Sequence, residues 1–206
     1  MRHAFTVIDD FFPNPDAVRA FALEHDYSGA NEMDGHKYPG TAQFRHPGFL
    51  AYLEGLMSAA IGGRVVSNIA AFVLAKEGEF PEQWIHADSN CAKQAAVIYL
   101  FDGHHEHGTA FWRHKASDQI EMAQPFYDAL GVDVTNAEQV DGLIARIKAE
   151  SFDEQYWTLA GLTEAKFNRL IYFNSKLFHS RYPKHAFGDS PENGRLILVV
   201  FFDVEP

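Results

Sequence analysis

A single cysteine, Cys91, stands among 206 residues. One thiol excludes an internal disulfide framework and fits a reducing compartment. There is no run of about 18 apolar residues, so no segment reads as a bilayer-spanning helix. The opening apolar stretch, Ala4-Phe5-Thr6-Val7-Ile8, gives way at once to Asp9-Asp10 and is too short for the apolar part of a secretory signal. Basic residues are in deficit: 17 Lys and Arg face 28 Asp and Glu, a formal net charge of −11. An acidic chain is poorly placed to collect phosphates by releasing counterions, which argues against nucleic acid and anionic membranes as partners. Internal repeats and low-complexity tracts are lacking too. The expectation from these absences is a cytoplasmic protein with no nucleic-acid and no membrane partner.

What is present is apolar and aromatic. The chain is 47% hydrophobic and holds 18 Phe, enough for a real core and far from the composition of disordered chains. Its length fits one domain, 1–206. Phe5 to Ile8 reads as a strand. A helix should follow, with Asn14 as cap, Pro15 at the first helical position and Asp16 in the positive first turn. Val18, Phe21, Ala22 and His25 mark its apolar face. A loop rich in Gly, Asn, His and Pro is expected from about Ser28 to Pro47. Leu50, Leu53, Met57, Ala60 and Ile61 then carry helical spacing, giving a helix from Phe49 to Ile61 that Gly62-Gly63 ends.

From residue 64 onward the texture is β. Val65-Val66, Ile69 to Leu74, Ala95 to Leu100 and Thr109 to Trp112 are short strand-type runs separated by turn-rich pieces. Arg169 to Phe173 and Leu196 to Phe202 return to the same character. Between them, 116–166 reads as a helical insertion, with Thr135 and Glu138 as a capping box before Val140, Leu143, Ile144 and Ile147. The fold expected is mainly β with α: a β-barrel over 64–206 carrying that insertion, with an N-terminal strand and supporting helices over 1–63.

The chemistry starts at His86-Ala87-Asp88. In a strand, positions i and i+2 share a face, so an imidazole and a carboxylate there can be two corners of one metal site. Alone the pattern carries no weight. His179, just past the strand that ends at Phe173, offers a third ligand, and two His with one carboxylate form a face suited to non-haem Fe(II) with positions left open. Arg195 opens the most apolar strand of the chain. Buried, it would need an anion, and a guanidinium forks well onto a ligand carboxylate. Taken alone, it reads equally as an arginine in water after Gly194.

The chain resembles the Fe(II)/2-oxoglutarate-dependent dioxygenases, in particular their prolyl-hydroxylase-like branch. The resembling blocks are Trp84 to Asn90, Ala96 to Asp102, Gly108 to Phe111, Asn168 to Asn174, Phe178 to Arg181 and Gly194 to Asp203. They run in the family's order, and Val7-Ile8-Asp9-Asp10-Phe11-Phe12 resembles its N-terminal lead-in. The resemblance implies a double-stranded β-helix, or jelly-roll barrel. It implies Fe(II) on His86, Asp88 and His179, and 2-oxoglutarate with its far carboxylate on Arg195. Tyr99 would donate its hydroxyl to that carboxylate, and Thr109 would line the same pocket. It further implies O2 and a small-molecule, amino-acid-derived or peptide substrate, oxidised as 2-oxoglutarate becomes succinate and CO2. Related halogenases carry a small residue where Asp88 stands, so hydroxylation is the expected outcome. The sequence departs from the family in two places. Leu74-Ala75-Lys76-Glu77 holds no Tyr before the His-x-Asp loop, and the usual Gly-Gly-Glu-Thr reads Glu106-His107-Gly108-Thr109.

Other readings stay open beside this one. A cupin-like metal- or ligand-binding protein without turnover would use the same barrel, as would a metal-dependent hydrolase or isomerase. His104-His105-Glu106-His107 is a second metal-type cluster, expected to be a solvated hairpin turn. His114 is expected at a polar strand edge and Arg45-His46 in a surface loop. Cys91 lies near the metal loop without a partner thiol. The insertion 116–166 offers a lid or a homodimer contact, with most of its apolar residues packing its own helices.

Overall fold

The computed structural model describes residues 5–28, 30–33, 36–43, 46–88 and 92–205. Strand β1 (Phe5–Ile8) leads into helix α1 (Pro15–Leu23). Asn14 caps that helix, its side-chain oxygen accepting from Ala17 N, and Val18 and Ala22 are buried from the expected face. Helix α2 (Pro47–Ile61) begins two residues earlier than its apolar spacing indicates, because His46 acts as its cap and accepts from Phe49 N. It ends at Gly62, whose φ of 86° is the left-handed conformation that glycine adopts without strain. Leu53 and Met57 are fully buried on its inner side, each contributing about 1.5–3 kcal/mol of apolar burial.

The remaining elements are β2 (Ala30–Met33), β3 (His36–Pro39), β4 (Thr41–Gln43), β5 (Arg64–Ala75), β6 (Gln94–Tyr99) and β7 (Gly108–His114). Then come α3 (Gln124–Ala129), α4 (Ala137–Glu150), β8 (Trp157–Glu164), β9 (Leu170–Asn174), β10 (His179–Tyr182) and β11 (Arg195–Glu205). A large antiparallel sheet runs β1-β9-β6-β11-β5-β4, and a small one runs β10-β7-β8. They face each other as the two halves of a jelly roll, the architecture expected from the sequence, and are not closed into one hydrogen-bonded barrel.

The packing forms successive layers. Ala96, Ile98, Leu100, Leu196, Leu198, Val200 and Phe202 turn outward from the large sheet onto α1 and α2. Ala95, Val97, Tyr99, Ile197 and Phe201 turn inward and meet Phe111 of the small sheet. The outer face of the small sheet, Ala110 and Trp112, packs on α3 and α4 through Phe126, Leu143 and Ile147. Each sheet is thus covered on both sides. That is why β6 and β11 read as unbroken apolar runs rather than as alternating ones.

Three expectations need correction. The stretch from Ser28 to Pro47 is not all loop: it holds the β2–β3 hairpin and β4, which extends the large sheet beside β5. The insertion is not helical to its end: β8 lies within it, antiparallel to β7. Thr158, Leu159, Ala160 and Leu162 of β8 are exposed, so that strand lacks the apolar face that would have marked it. The helix cap at 135 lies one residue later, where Asn136 accepts from Gln139 N, while Thr135 donates its hydroxyl to Asp133.

Candidate metal centre

His86, Asp88 and His179 are brought together, with one ligand-type atom from each within 4.8 Å of the others. His86 sits on an isolated antiparallel bridge to His179, the first residue of β10. Asp88 lies two residues on, its backbone N–H donating to Ser175 O at 2.8 Å. His179 Nε2 is 3.1 Å from Asp88 Oδ2, and His86 Nε2 is 3.6 Å from Asp88 Oδ1. Both rings are tied back in the same way: His86 Nδ1 meets Trp84 O at 3.0 Å and His179 Nδ1 meets Leu177 O at 2.8 Å. Those bonds make Nδ1 the donor in each ring and turn both Nε2 atoms toward Asp88, as the outer shell of a metal site does.

Burial works against the charge on Asp88, but His179 and His86 outweigh it and hold the carboxyl below its usual range. Burial also opposes a proton on His179, and Asp88 overcomes that, raising the imidazole above its usual value. The ligands' neighbours anchor them. Trp84 and Ile85 before His86, and Phe178 before His179, belong to the cluster filled by α3 and α4. The insertion therefore backs the ligand-bearing segments from outside the small sheet.

The face between the sheets continues away from this group. His179 is the register partner of Phe111, and Thr109 lies two residues further along β7 on the same side. That is about 7 Å at roughly 3.4 Å per residue. There Thr109 Oγ1 is 2.7 Å from the Tyr99 hydroxyl, which joins the small sheet to the large one. Burial raises the Tyr99 pKa, so the phenol stays neutral and can donate.

Arg195 reaches the same place from the start of β11. It is 4% exposed, not in water after Gly194. Its Nη2 donates to Gly108 O at 3.2 Å, and its guanidinium lies 6.0 Å from the centre of the Phe101 ring. Its Nε is shut away from solvent with no partner. Among the described residues no carboxylate forms an ion pair with it. Burial, with Arg181 adding to it, lowers its pKa to about 10, which leaves it charged at neutral pH. A buried cation without a counter-charge is costly, and a ligand carboxylate would supply one. The residues thus fit both groups that the family resemblance implies, a divalent metal at one end and a keto acid's distal carboxylate at the other.

The remaining candidates fall out differently. His104, Glu106 and His107 do cluster, but the segment is no hairpin, since β6 and β7 belong to different sheets. His107 is buried at 4% exposure instead of solvated, because Phe187 packs against it with ring centres 4.5 Å apart. His114 is fully buried, bonded to Ser117 Oγ at 3.0 Å and Glu150 Oε2 at 3.1 Å, and so is no polar strand edge. Arg45 and Cys91 lie outside the described residues. Sequence reasoning passed over Phe101 and Phe187. Phe101 shares the alternation of Tyr99 and was legible on that ground. Phe187 comes from a distant loop, and nothing local marks it.

A family profile described as "Family of unknown function (DUF6445)" matches residues 1–202. Comparison with curated proteins finds no match. Among solved structures, HygX from Streptomyces hygroscopicus with nickel and 2-oxoglutarate bound superposes with a TM-score of 0.57 at 12% identity, covering 98% of this chain and 83% of that one. The non-haem alpha-ketoglutarate-dependent carbocyclase SnoK from nogalamycin biosynthesis gives 0.56 at 12% identity, covering 97% and 79%. A Pseudomonas putida prolyl-4-hydroxylase gives 0.51 at 16% identity, covering 100% and 95%. At these identities the likeness is one of fold: the chain has the jelly roll of the Fe/2-oxoglutarate oxygenases. Among the described residues no helix is long and apolar enough to cross a membrane.

Proposed function

The chain belongs to the family of unknown function DUF6445, and we propose that it is an Fe(II)/2-oxoglutarate-dependent oxygenase of the hydroxylase type. The observation that carries this reading is Arg195. It is a buried, charged guanidinium with no counter-charge among the described residues, beside Gly108, the neighbour of Thr109, which lies about 7 Å along the interior face from the register partner of His179. A five-carbon keto diacid has one end for each.

In this reading His86 and His179 would hold Fe(II) through Nε2 and Asp88 through a carboxylate oxygen. Their backbone-tied Nδ1 atoms fix the rings before the metal arrives. Arg195 binds and orients the keto acid by its distal carboxylate, with Tyr99 as a neutral donor and Thr109 holding the Tyr99 hydroxyl in place. The Phe111 and Phe173 rings beside His179 keep bulk water off the inner side. When bound, Fe(II) with 2-oxoglutarate supplies O2 chemistry that couples formation of succinate and CO2 to hydroxylation of a substrate C–H bond. No residue of the chain needs to act as general base. Because Asp88 is a ligand and not a small residue, hydroxylation is favoured over halogenation. A small molecule, amino-acid derivative or peptide side chain is the substrate class proposed, and the half-exposed His86 marks the open side it would approach from.

The test is anaerobic addition of 2-oxoglutarate to Fe(II)-loaded protein. A visible metal-to-keto-acid charge-transfer band should appear, saturate, and vanish on admitting O2 as succinate forms. Iron bound with no band would overturn the reading.

A further inference from the structure

Arg195 Nε is not the only orphaned polar atom in its neighbourhood. His107 Nδ1 and Thr163 Oγ1 are likewise buried without a hydrogen-bond partner. Native proteins leave few buried polar atoms unpaired, and each carries its full desolvation cost. Three from separate strands and turns, gathered around Gly108, form a pattern.

The placement of each follows from register. Thr163 is the cross-strand partner of Thr109 and shares its face. The strands are pressed together here: a Cβ on Gly108 would lie 2.0 Å from Thr163 O, so only glycine fits. Its carbonyl is the one that takes Arg195 Nη2. His107 directly precedes that glycine. Its ring packs on Phe187, Phe187 packs on Phe101 with centres 5.1 Å apart, and Phe101 lies under the Arg195 guanidinium. Arg195 and His107 are thus two corners of one closed circuit of contacts. His107 Nε2 points at Glu106 from 3.8 Å, beyond hydrogen-bond length, which leaves Nδ1 as the nitrogen on the buried side.

A carboxylate has two oxygens with about four acceptor directions. Arg195 and Tyr99 use only part of that capacity. We propose that His107 Nδ1 and Thr163 Oγ1 donate to the distal carboxylate of the keto acid beside Arg195, and so select a dicarboxylic keto acid over one with an apolar end. The inference rests on the oxygenase reading above and adds two residues to its pocket. Burial and the adjacent Arg195 lower the His107 pKa to about 4, so the ring enters as a neutral donor whose single proton can sit on Nδ1.

The experiment is calorimetric titration of Mn(II)-loaded protein with 2-oxoglutarate and with 2-oxopentanoate, which replaces the distal carboxylate by a methyl group. His107→Leu and Thr163→Val are compared with the unmodified chain. Each variant should bind 2-oxoglutarate about tenfold more weakly, a change of roughly 1.4 kcal/mol. Affinity for 2-oxopentanoate should stay within about twofold of the parent value. Equal loss for both keto acids, or loss for neither, would reject the proposal. So would a second bound metal ion per chain that His107→Leu removes, since that would make His107 a ligand of a cluster with His104 and Glu106. Thr163→Val is nearly isosteric and keeps the test decisive if His107→Leu does not fold. If the unmodified chain failed to prefer 2-oxoglutarate, the oxygenase reading itself would fall and this inference with it.

Discussion

His86 and His179 are joined through their backbones as well as across the candidate metal face. His86 N donates to His179 O at 3.0 Å, and His179 N donates to His86 O at 2.8 Å. The ligand positions therefore do not depend on the imidazoles for their geometry. His179→Ala should abolish Fe(II) binding and turnover while leaving the protein folded. Metal content after loading and the far-ultraviolet spectrum check this together. A variant that still held stoichiometric iron would contradict the ligand set.

Arg195→Met should weaken 2-oxoglutarate binding by about 2–5 kcal/mol, the range for removing one partner of a buried charge pair. Metal binding should be nearly intact. Without keto acid the variant should melt no lower than the parent, because it removes a buried charge that has no counter-charge among the described residues. Unchanged 2-oxoglutarate affinity would show that the carboxylate binds elsewhere.

Asn168 clamps the N-terminal segment. Its Oδ1 accepts from Phe12 N at 2.8 Å and its Nδ2 donates to Phe12 O at 2.9 Å, while its own N–H donates to Tyr99 O. Its φ of 63° is left-handed, which Asn tolerates better than most residues. Asn168→Ala strips two buried bonds and keeps the strained backbone, so a loss of about 2–4 kcal/mol is expected. Urea unfolding measures it, and a loss under about 0.5 kcal/mol, the size of an ordinary surface substitution, would show the clamp to be idle.

Asp9 supplies a pH dependence. Arg169 bonds its carboxylate at 2.6 and 3.1 Å, Lys166 stands at 3.3 Å, and together they lower its pKa from 3.8 to about 2. A lowered folded pKa stabilises above the unfolded value, and that contribution is lost as pH falls toward the folded one. The stability gap between the parent and Asp9→Asn should narrow from pH 5 toward pH 2. Added salt should shrink it too, since the pair is partly exposed. A gap that stays constant over this range would detach Asp9 from acid stability.

The parts of the fold governed by local chemistry were legible. Asn14, Pro15 and Gly62 announce helix ends in any context, and β11 is too apolar to be anything but a buried strand. β8 was not legible, because only Trp157 and Thr163 are buried, on opposite faces of the strand, and its pairing to β7 comes from elsewhere in the chain. The site divides the same way. His86, Asp88 and Arg195 stand in recognisable surroundings. The burial of His107 depends on Phe187, and that of His114 on Glu150 from α4, contacts that no local pattern encodes.

The matching ties from His86 Nδ1 to Trp84 O and from His179 Nδ1 to Leu177 O make the ligand face a standing receptacle, independent of its occupant. Chelation and refilling should then be reversible without refolding, unlike small domains whose folding waits for zinc. A rigid nitrogen- and oxygen-donor face ranks divalent ions by intrinsic affinity, which favours nickel and copper over iron. If the face holds an ion as proposed, cellular supply would bear on which one, and protein purified in air over nickel resin should then carry nickel until it is exchanged.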